Sequence, residues 1–154
     1  MTQRFTRRTF VLAGTATASL MLLPPASGAA VKPKMVTYRS PSCGCCGKWI
    51  DAARAAGFDV AVVHSEDMHA IKAKHGIPDA LASCHTSLIG GYVVEGHVPF
   101  APVRRLLEEK PKIRGIAVAG MPMGTPGMEH GDHKQPFNVM AFDAAGRIRL
   151  FAKG

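Results

Sequence analysis

Ser42-Cys43-Gly44-Cys45-Cys46-Gly47-Lys48-Trp49 holds three of the four cysteines of this 154-residue chain within four positions. The residues before it, Met35-Val36-Thr37-Tyr38-Arg39, read as a β-strand that Pro41 stops. After it, Trp49, Ile50, Ala53 and Gly57 recur at helical spacing, with Lys48, Asp51 and Arg54 turned outward. The cysteines therefore stand where a strand hands over to a helix. Thiolates are nucleophiles and soft metal ligands, and a helix N-terminus stabilises their charge.

Downstream, Asp59 to His64 is nearly all apolar and is expected to form a buried parallel strand. Ser65 is expected to cap a second helix that carries Met68, Ile71, Lys72 and His75 on one side and stops at Gly76. This β-α-β-α order, with Cys-x-x-Cys at the first junction, is the layout of a thioredoxin-type domain. Cys84 to Val98 reads as a strand or hairpin with Gly90-Gly91 as its turn. A helix from about Ala101 to Lys110 follows, with Pro102 near its start and Val103, Leu106 and Leu107 inward. Gly115 to Gly131 is too rich in Gly and Pro for a helix. Phe137–Phe142 and Arg147–Phe151, joined by a turn over Asp143–Gly146, give a clear hairpin signal. The expected architecture is α/β: a thioredoxin-like domain over residues 31–112, with an extension over 113–154 packed on the same domain.

The first thirty residues read as an export signal. Arg4, Arg7 and Arg8 precede an apolar run from Phe10 to Leu23, and small residues around Ala26–Ala30 suit a signal peptidase. Thr6-Arg7-Arg8-Thr9-Phe10-Val11-Leu12 resembles a twin-arginine signal, which implies export after folding. The absence of a cysteine at the cleavage region argues against a lipid anchor. The remaining chain is expected to be soluble, periplasmic and monomeric, with roughly 125 residues for one core. The formal charge of +8 falls to +5 once the three leading arginines are set aside. Its basic residues are scattered and not interleaved with aromatics, which excludes a nucleic-acid surface.

Free thiols tend to oxidise in the periplasm, so four cysteines there imply disulfides, metal or redox chemistry. Cys43 and Cys46 are spaced for a small disulfide across the first helical turn and are the candidate redox pair. A dithiol switch has no use for Cys45, and a bridge this short staples almost no chain. A metal site would use all three sulfurs, with Cys84 as a fourth. Soft thiolates select Cu(I), Zn or iron–sulfur clusters, and sulfurs this close can bridge several ions. Met121, Met123 and Met128 lie in the Gly/Pro-rich loop, where methionine has no helical or strand face to fill. They shift the balance from zinc to copper. His85 and His97 are further candidate ligands. His130 and His133 beside Met128 form a possible outer ligand set or an exposed loop, whereas His64, His69 and His75 are expected at the surface.

Tyr38-Arg39-Ser40-Pro41-Ser42-Cys43-Gly44-Cys45-Cys46-Gly47-Lys48-Trp49 resembles the signature of the CopG-type copper-resistance proteins, which are unrelated to the plasmid repressor of the same name. The resemblance continues in Ser83-Cys84-His85-Thr86, in Gly91-Tyr92-Val93-Val94-Glu95-Gly96-His97-Val98-Pro99 and in Gly120-Met121-Pro122-Met123-Gly124-Thr125-Pro126-Gly127-Met128-Glu129. It implies a periplasmic thioredoxin-like protein with a copper cluster beside the Cys-x-Cys-Cys motif. The ligands it carries over are Cys43, Cys45, Cys46, Cys84, His97, Met121 and Met128. Thioredoxin-like proteins place a cis-proline loop before the third strand. Here Cys84-His85-Thr86, with a trans peptide, is expected to fill that place opposite Cys46, and Pro78 is the competing candidate.

The leading expectation is a periplasmic copper-binding protein of copper resistance, with a polynuclear site that can interconvert Cu(I) and Cu(II). Its expected partners are copper ions and other periplasmic copper-handling proteins. One alternative is a thiol–disulfide oxidoreductase acting on protein cysteines, for which Cys45 and the loop methionines would be dispensable. The other is a non-catalytic protein that stores or delivers metal.

Overall fold

The computed structural model describes residues 31–154, and the expected export signal lies outside the described residues. The first strand, β1 (Lys34–Arg39), leads through the cysteine motif into helix α1 (Gly44–Ala55) and strand β2 (Asp59–His64). Helix α2 (Met68–Lys74), a 3-10 turn (Asp79–Leu81), strands β3 (His85–Ile89) and β4 (Tyr92–Glu95) and helix α3 (Phe100–Glu109) follow. Strands β5 (Gly115–Ala117), β6 (Asn138–Phe142) and β7 (Ile148–Lys153) complete the chain. All seven strands form one mixed sheet in the order β2-β1-β3-β4-β5-β6-β7. The β1/β2 and β4/β5 pairs are parallel and the others antiparallel. Among the described residues, no helix is long and apolar enough to cross a membrane.

Strand alternation divides the core between the two faces of the sheet. Met35, Val94, Ile116 and Ala141 cluster with Trp49, Ile50 and Ala53 of α1 and Val103 and Leu106 of α3. Their neighbours Val93, Ala117 and Phe142 cluster with Ile77 and Leu81. Helix α1 buries Trp49, Ile50 and Ala53, as the helical spacing predicts, and Cys46 besides. Trp49 is anchored at both ends: its ring packs against Phe100, and Nε1–H donates to the Val98 carbonyl at 3.1 Å.

The hairpin between β3 and β4 turns on Gly90 and Gly91, both at positive φ (57° and 85°). A two-residue turn of that hand matches the twist of its strands and requires glycine-like freedom.

Three expectations need correction. Strand β2 is an edge strand with β1 as its neighbour; Val60 is buried, while Ala61 and Val63 face out. Its apolar run reflects strand propensity rather than burial on both faces. The cap of α2 is Asp67, whose carboxylate accepts from Ala70 N–H at 2.8 Å; Ser65 instead accepts from Asp67 N–H. Both residue types suit a cap, and spacing alone does not choose between them. Third, the Gly-rich stretch, whose composition argues only against a helix, opens with strand β5. The strand is three residues long and fully buried, too short to show a period.

Candidate metal centre

The turn before α1 is held from outside by Arg39. Its guanidinium donates to the carbonyls of Ser40 and Pro41 at 3.0 and 3.1 Å, and Cys43 N–H closes back on Ser40 O at 3.2 Å. Cys43 occupies the N-cap of α1 without a side-chain cap bond, so the sulfurs gather where helix N–H groups lack partners. Cys43 and Cys46 are joined in a disulfide, and Cys45 and Cys84 are free thiols.

The fourth cysteine arrives from the loop before β3. Cys45 Sγ lies 3.6 Å from Cys43 Sγ, 3.9 Å from Cys84 Sγ and 4.0 Å from Met121 Sδ. All four cysteine sulfurs lie within 4.8 Å of one another. Cys46 Sγ is 3.7 Å from the Cys84 carbonyl, so the Cys84-His85 segment faces Cys46 as expected. No peptide bond among the described residues is cis. Pro78, the competing candidate for that loop, stands instead at the start of the 3-10 turn.

Cys84 sits between two imidazoles and joins a second donor group with His85 and His97. His97 Nε2 is 3.0 Å from its sulfur and His85 Nδ1 is 3.3 Å away. His97 Nδ1 is 2.8 Å from the Pro126 carbonyl, which can only accept, so Nδ1 carries the hydrogen. Nε2 is thereby left with its lone pair aimed at Cys84, the tautomer a metal ligand requires. Burial lowers the pKa of His97, keeping the ring neutral. Burial first, then the neighbouring Cys45 sulfur, pushes the Cys84 thiol up to about 12. Without metal, the site holds a protonated thiol facing a neutral imidazole.

His85, like His97, is fully buried. Its ring lies 4.6 Å from Trp49 and meets His97 edge-on at 4.9 Å between centroids. Burial, with His97, Lys72 and Arg39 nearby, holds its pKa well below the usual value. Its Nε2 is buried without a partner among the described residues. His75 departs from the surface expectation: it is half-buried beside the Tyr38 ring, and its Nε2 likewise has no partner.

The methionines approach from the extension. Met121 is half exposed and touches Cys45, whereas Met123 and Met128 line a cleft of about 410 Å³ shared with Cys45, Lys48, Glu129 and His130. Gly127 makes this approach feasible. A Cβ there would stand 2.6 Å from Trp49 N and 3.1 Å from Cys45 O, and its φ is +80°. The loop backbone thus rests directly on the first turn of α1.

Several supporting residues escaped the motif reading. Glu95 is fully buried on β4, and one of its oxygens accepts from Ser83 N–H at 2.7 Å and Lys72 Nζ at 2.6 Å. The other accepts from Thr86 Oγ1 at 2.6 Å. One carboxylate therefore grips both flanks of Cys84-His85, from a strand that leads two residues later to His97. Burial pushes the Glu95 pKa up, against the opposing pull of Lys72, Thr86 and Ser83. The one sequence signal able to reveal it is a lone acidic residue ending the apolar run Tyr92-Val93-Val94-Glu95.

Fold and cluster together define a mixed α/β protein built around a cysteine–histidine group able to bind metal. The chain belongs to the CopG copper resistance protein family. It is 39% identical to a solved structure described as copper resistance protein CopG, form 2, covering 80% of this chain and 98% of that one with a TM-score of 0.77. The form 1 structure is 40% identical, with the same coverage and a TM-score of 0.75. Residues 81–128 match a family described as protein of unknown function, DUF411. No curated protein sequence matches the chain.

Proposed function

We propose that this is an exported copper-binding protein of copper resistance. It holds copper ions in a thiolate-bridged polynuclear site and interconverts Cu(I) and Cu(II) there. The observation that carries this reading is the convergence of four cysteine sulfurs within 4.8 Å, with His97 Nε2 3.0 Å from one of them. The donor set fits copper. Thiolate, thioether and imidazole all suit Cu(I), whereas zinc sites draw on Cys, His and carboxylates and leave Met121 and Met128 without a role. Cys43, Cys45, Cys46 and Cys84 supply the bridging sulfurs; His97, Met121 and Met128 complete coordination. His85 sits nearest as an additional donor to the Cys84 side.

The frame for this site is thioredoxin-like over residues 31–112, and residues 113–154 bring the methionine loop onto it. Residues 1–30 direct export through the twin-arginine route to the periplasm, where the protein is soluble and monomeric and exchanges copper with other copper-handling proteins. With the Cys43–Cys46 disulfide formed, Cys45 and Cys84 are the free thiols. Reducing the bridge takes two electrons and two protons and makes four sulfurs available. Metal analysis of the anaerobic, reduced protein should therefore give more than one copper per chain, and Cys45→Ser should lower that number. One copper or none per chain in the reduced wild-type protein, or unchanged binding in Cys45→Ser, would sink the cluster reading.

One observation favours a second reading. The Cys43–Cys46 disulfide at the start of α1 has the placement of a thiol–disulfide oxidoreductase pair. In that case insulin reduction would depend on Cys43 and Cys46 and be indifferent to Cys45→Ser.

A further inference from the structure

The extension carries a pair of imidazoles outside the cysteine cluster and outside the Cys84–His85–His97 group. His130-Gly131-Asp132-His133 forms a tight turn closed by His133 N–H to His130 O at 3.2 Å, with Gly131 at φ +55°. The turn sets the two imidazoles face to face, with ring centroids 6.5 Å apart and planes inclined by 30°. Both histidines are exposed, so their rings are free to turn a nitrogen toward a shared ion. Imidazole nitrogens bind such ions at about 2 Å, which puts the ring centres of two histidines on one ion about 5–6 Å apart. The observed 6.5 Å lies just beyond that range.

The position of this pair gives it meaning. His130 lines the same cleft as Met123 and Met128, and Cys45 lines it too. The loop is not slack: Gln135 N–H donates to Met123 O, Met123 N–H donates to the Gln135 side chain, and Gly124 N–H donates to Met128 O. Glu129 is tied to Gly127 N–H at 3.1 Å, while Asp132 stands exposed between the histidines. One cleft is thus lined by an imidazole, two thioethers and a thiol, from His130, Met123, Met128 and Cys45. Lys48 is the one cation on the cleft wall.

We propose that His130 and His133 form an outer copper site, and that the cleft beside Met128 and Met123 is the route by which copper reaches Cys45. The site's affinity for copper stands alone, whereas its role as a loading site rests on the cluster proposed above. Two measurements test it. In a Cys45→Ser/Cys84→Ser variant with the Cys43–Cys46 disulfide intact, one Cu(II) ion should bind per chain with a nitrogen-rich electron paramagnetic resonance spectrum. Adding His130→Ala/His133→Ala should weaken that binding by about tenfold or more, the scale on which losing metal-supporting groups is felt. In the otherwise wild-type reduced protein, His130→Ala/His133→Ala should slow the growth of the Cu(I)–thiolate absorption severalfold and leave its final amplitude unchanged.

Equal Cu(II) binding with and without the histidines would overturn the outer site. An unchanged loading rate would overturn the route. If wild type developed no Cu(I)–thiolate absorption while the double serine variant still bound Cu(II) through its histidines, the cluster would fall and the outer site would stand.

Discussion

Removing the Glu95 carboxylate tests whether the metal centre depends on a group that need never touch metal. Glu95→Ala deletes three accepted hydrogen bonds at once, from Ser83, Thr86 and Lys72. It also strands the Lys72 ammonium, which is only 13% exposed. Breaking a buried ion pair by deleting one partner costs about 3–5 kcal/mol. For a domain of this size that corresponds to a fall in melting temperature of about 10–20 °C. The loss should not be confined to stability. Ser83 N–H is the tether of Cys84, so its release moves that sulfur relative to His97, and copper uptake should drop even at temperatures where the variant is folded.

Glu95→Gln separates the two effects. Its amide oxygen can still accept from Ser83 N–H, and its NH2 can donate to the Thr86 hydroxyl, so the loop stays in place while the ion pair is lost. The melting temperature should fall to an intermediate value and copper stoichiometry should be kept. Calorimetry of the metal-free proteins and metal analysis after anaerobic loading measure both. If Glu95→Ala melts within about 2 °C of wild type, less than 1 kcal/mol for this chain length, the tether argument is wrong.

Three other outcomes follow from the geometry. Gly127→Ala places a Cβ against the α1 backbone at a φ of +80°, so it should cost more than about 1 kcal/mol. It should also reduce copper retention; an unchanged urea midpoint would refute the close approach. Because the Cys84 thiol is pushed up to about 12, it is protonated at pH 7, and Cu(I) binding must expel that proton. Titration calorimetry in buffers of different ionisation enthalpy should report the release, and Cys84→Ser should reduce it by one; identical heats in all buffers would contradict this. The Asp143 pKa is lowered by its hydrogen bond to the Arg147 side chain and then by those from backbone N–H groups. Its folded value lies below its unfolded value of about 3.9, so its stabilisation is present above that pH and is lost as pH falls through the folded value. Asp143→Asn should lower the urea midpoint slightly at pH 7, with the gap closing toward pH 3. A gap that widened in acid would reverse the sign of the argument.

Elements with strong local signals were legible in the chain. Trp49, Ile50 and Ala53 marked the buried face of α1, Gly90-Gly91 marked a turn that needs positive φ, and Asp143–Gly146 marked the last hairpin. Each reports a requirement met within a few residues. Strand β2 misled because a run of valine and alanine reads as buried whether or not its outer face is covered. Strand β5 stayed hidden because Gly115–Ala117 is ordered by pairing with Val93–Glu95 and Met140–Phe142 rather than by its own pattern.

The same division runs through the site. Cys43, Cys45 and Cys46 lie on one helical turn, so their closeness is a local fact that spacing alone establishes. Soft donors in the Gly/Pro loop pointed to copper by their chemistry alone. That Cys84 and Met121 meet those sulfurs, and that His97 meets Cys84, is a matter of tertiary structure, because it depends on how β3, β4 and the extension join one sheet. The protonation and direction of each donor were likewise beyond the sequence. The Pro126 carbonyl sets the His97 tautomer, burial beside Cys45 sets the Cys84 thiol, and Glu95 holds the loop between them. Sequence alone determined which atoms are soft enough to take metal. Only the folded chain decided which of them converge, because desolvation and long-range hydrogen bonds exist only after distant segments are brought together.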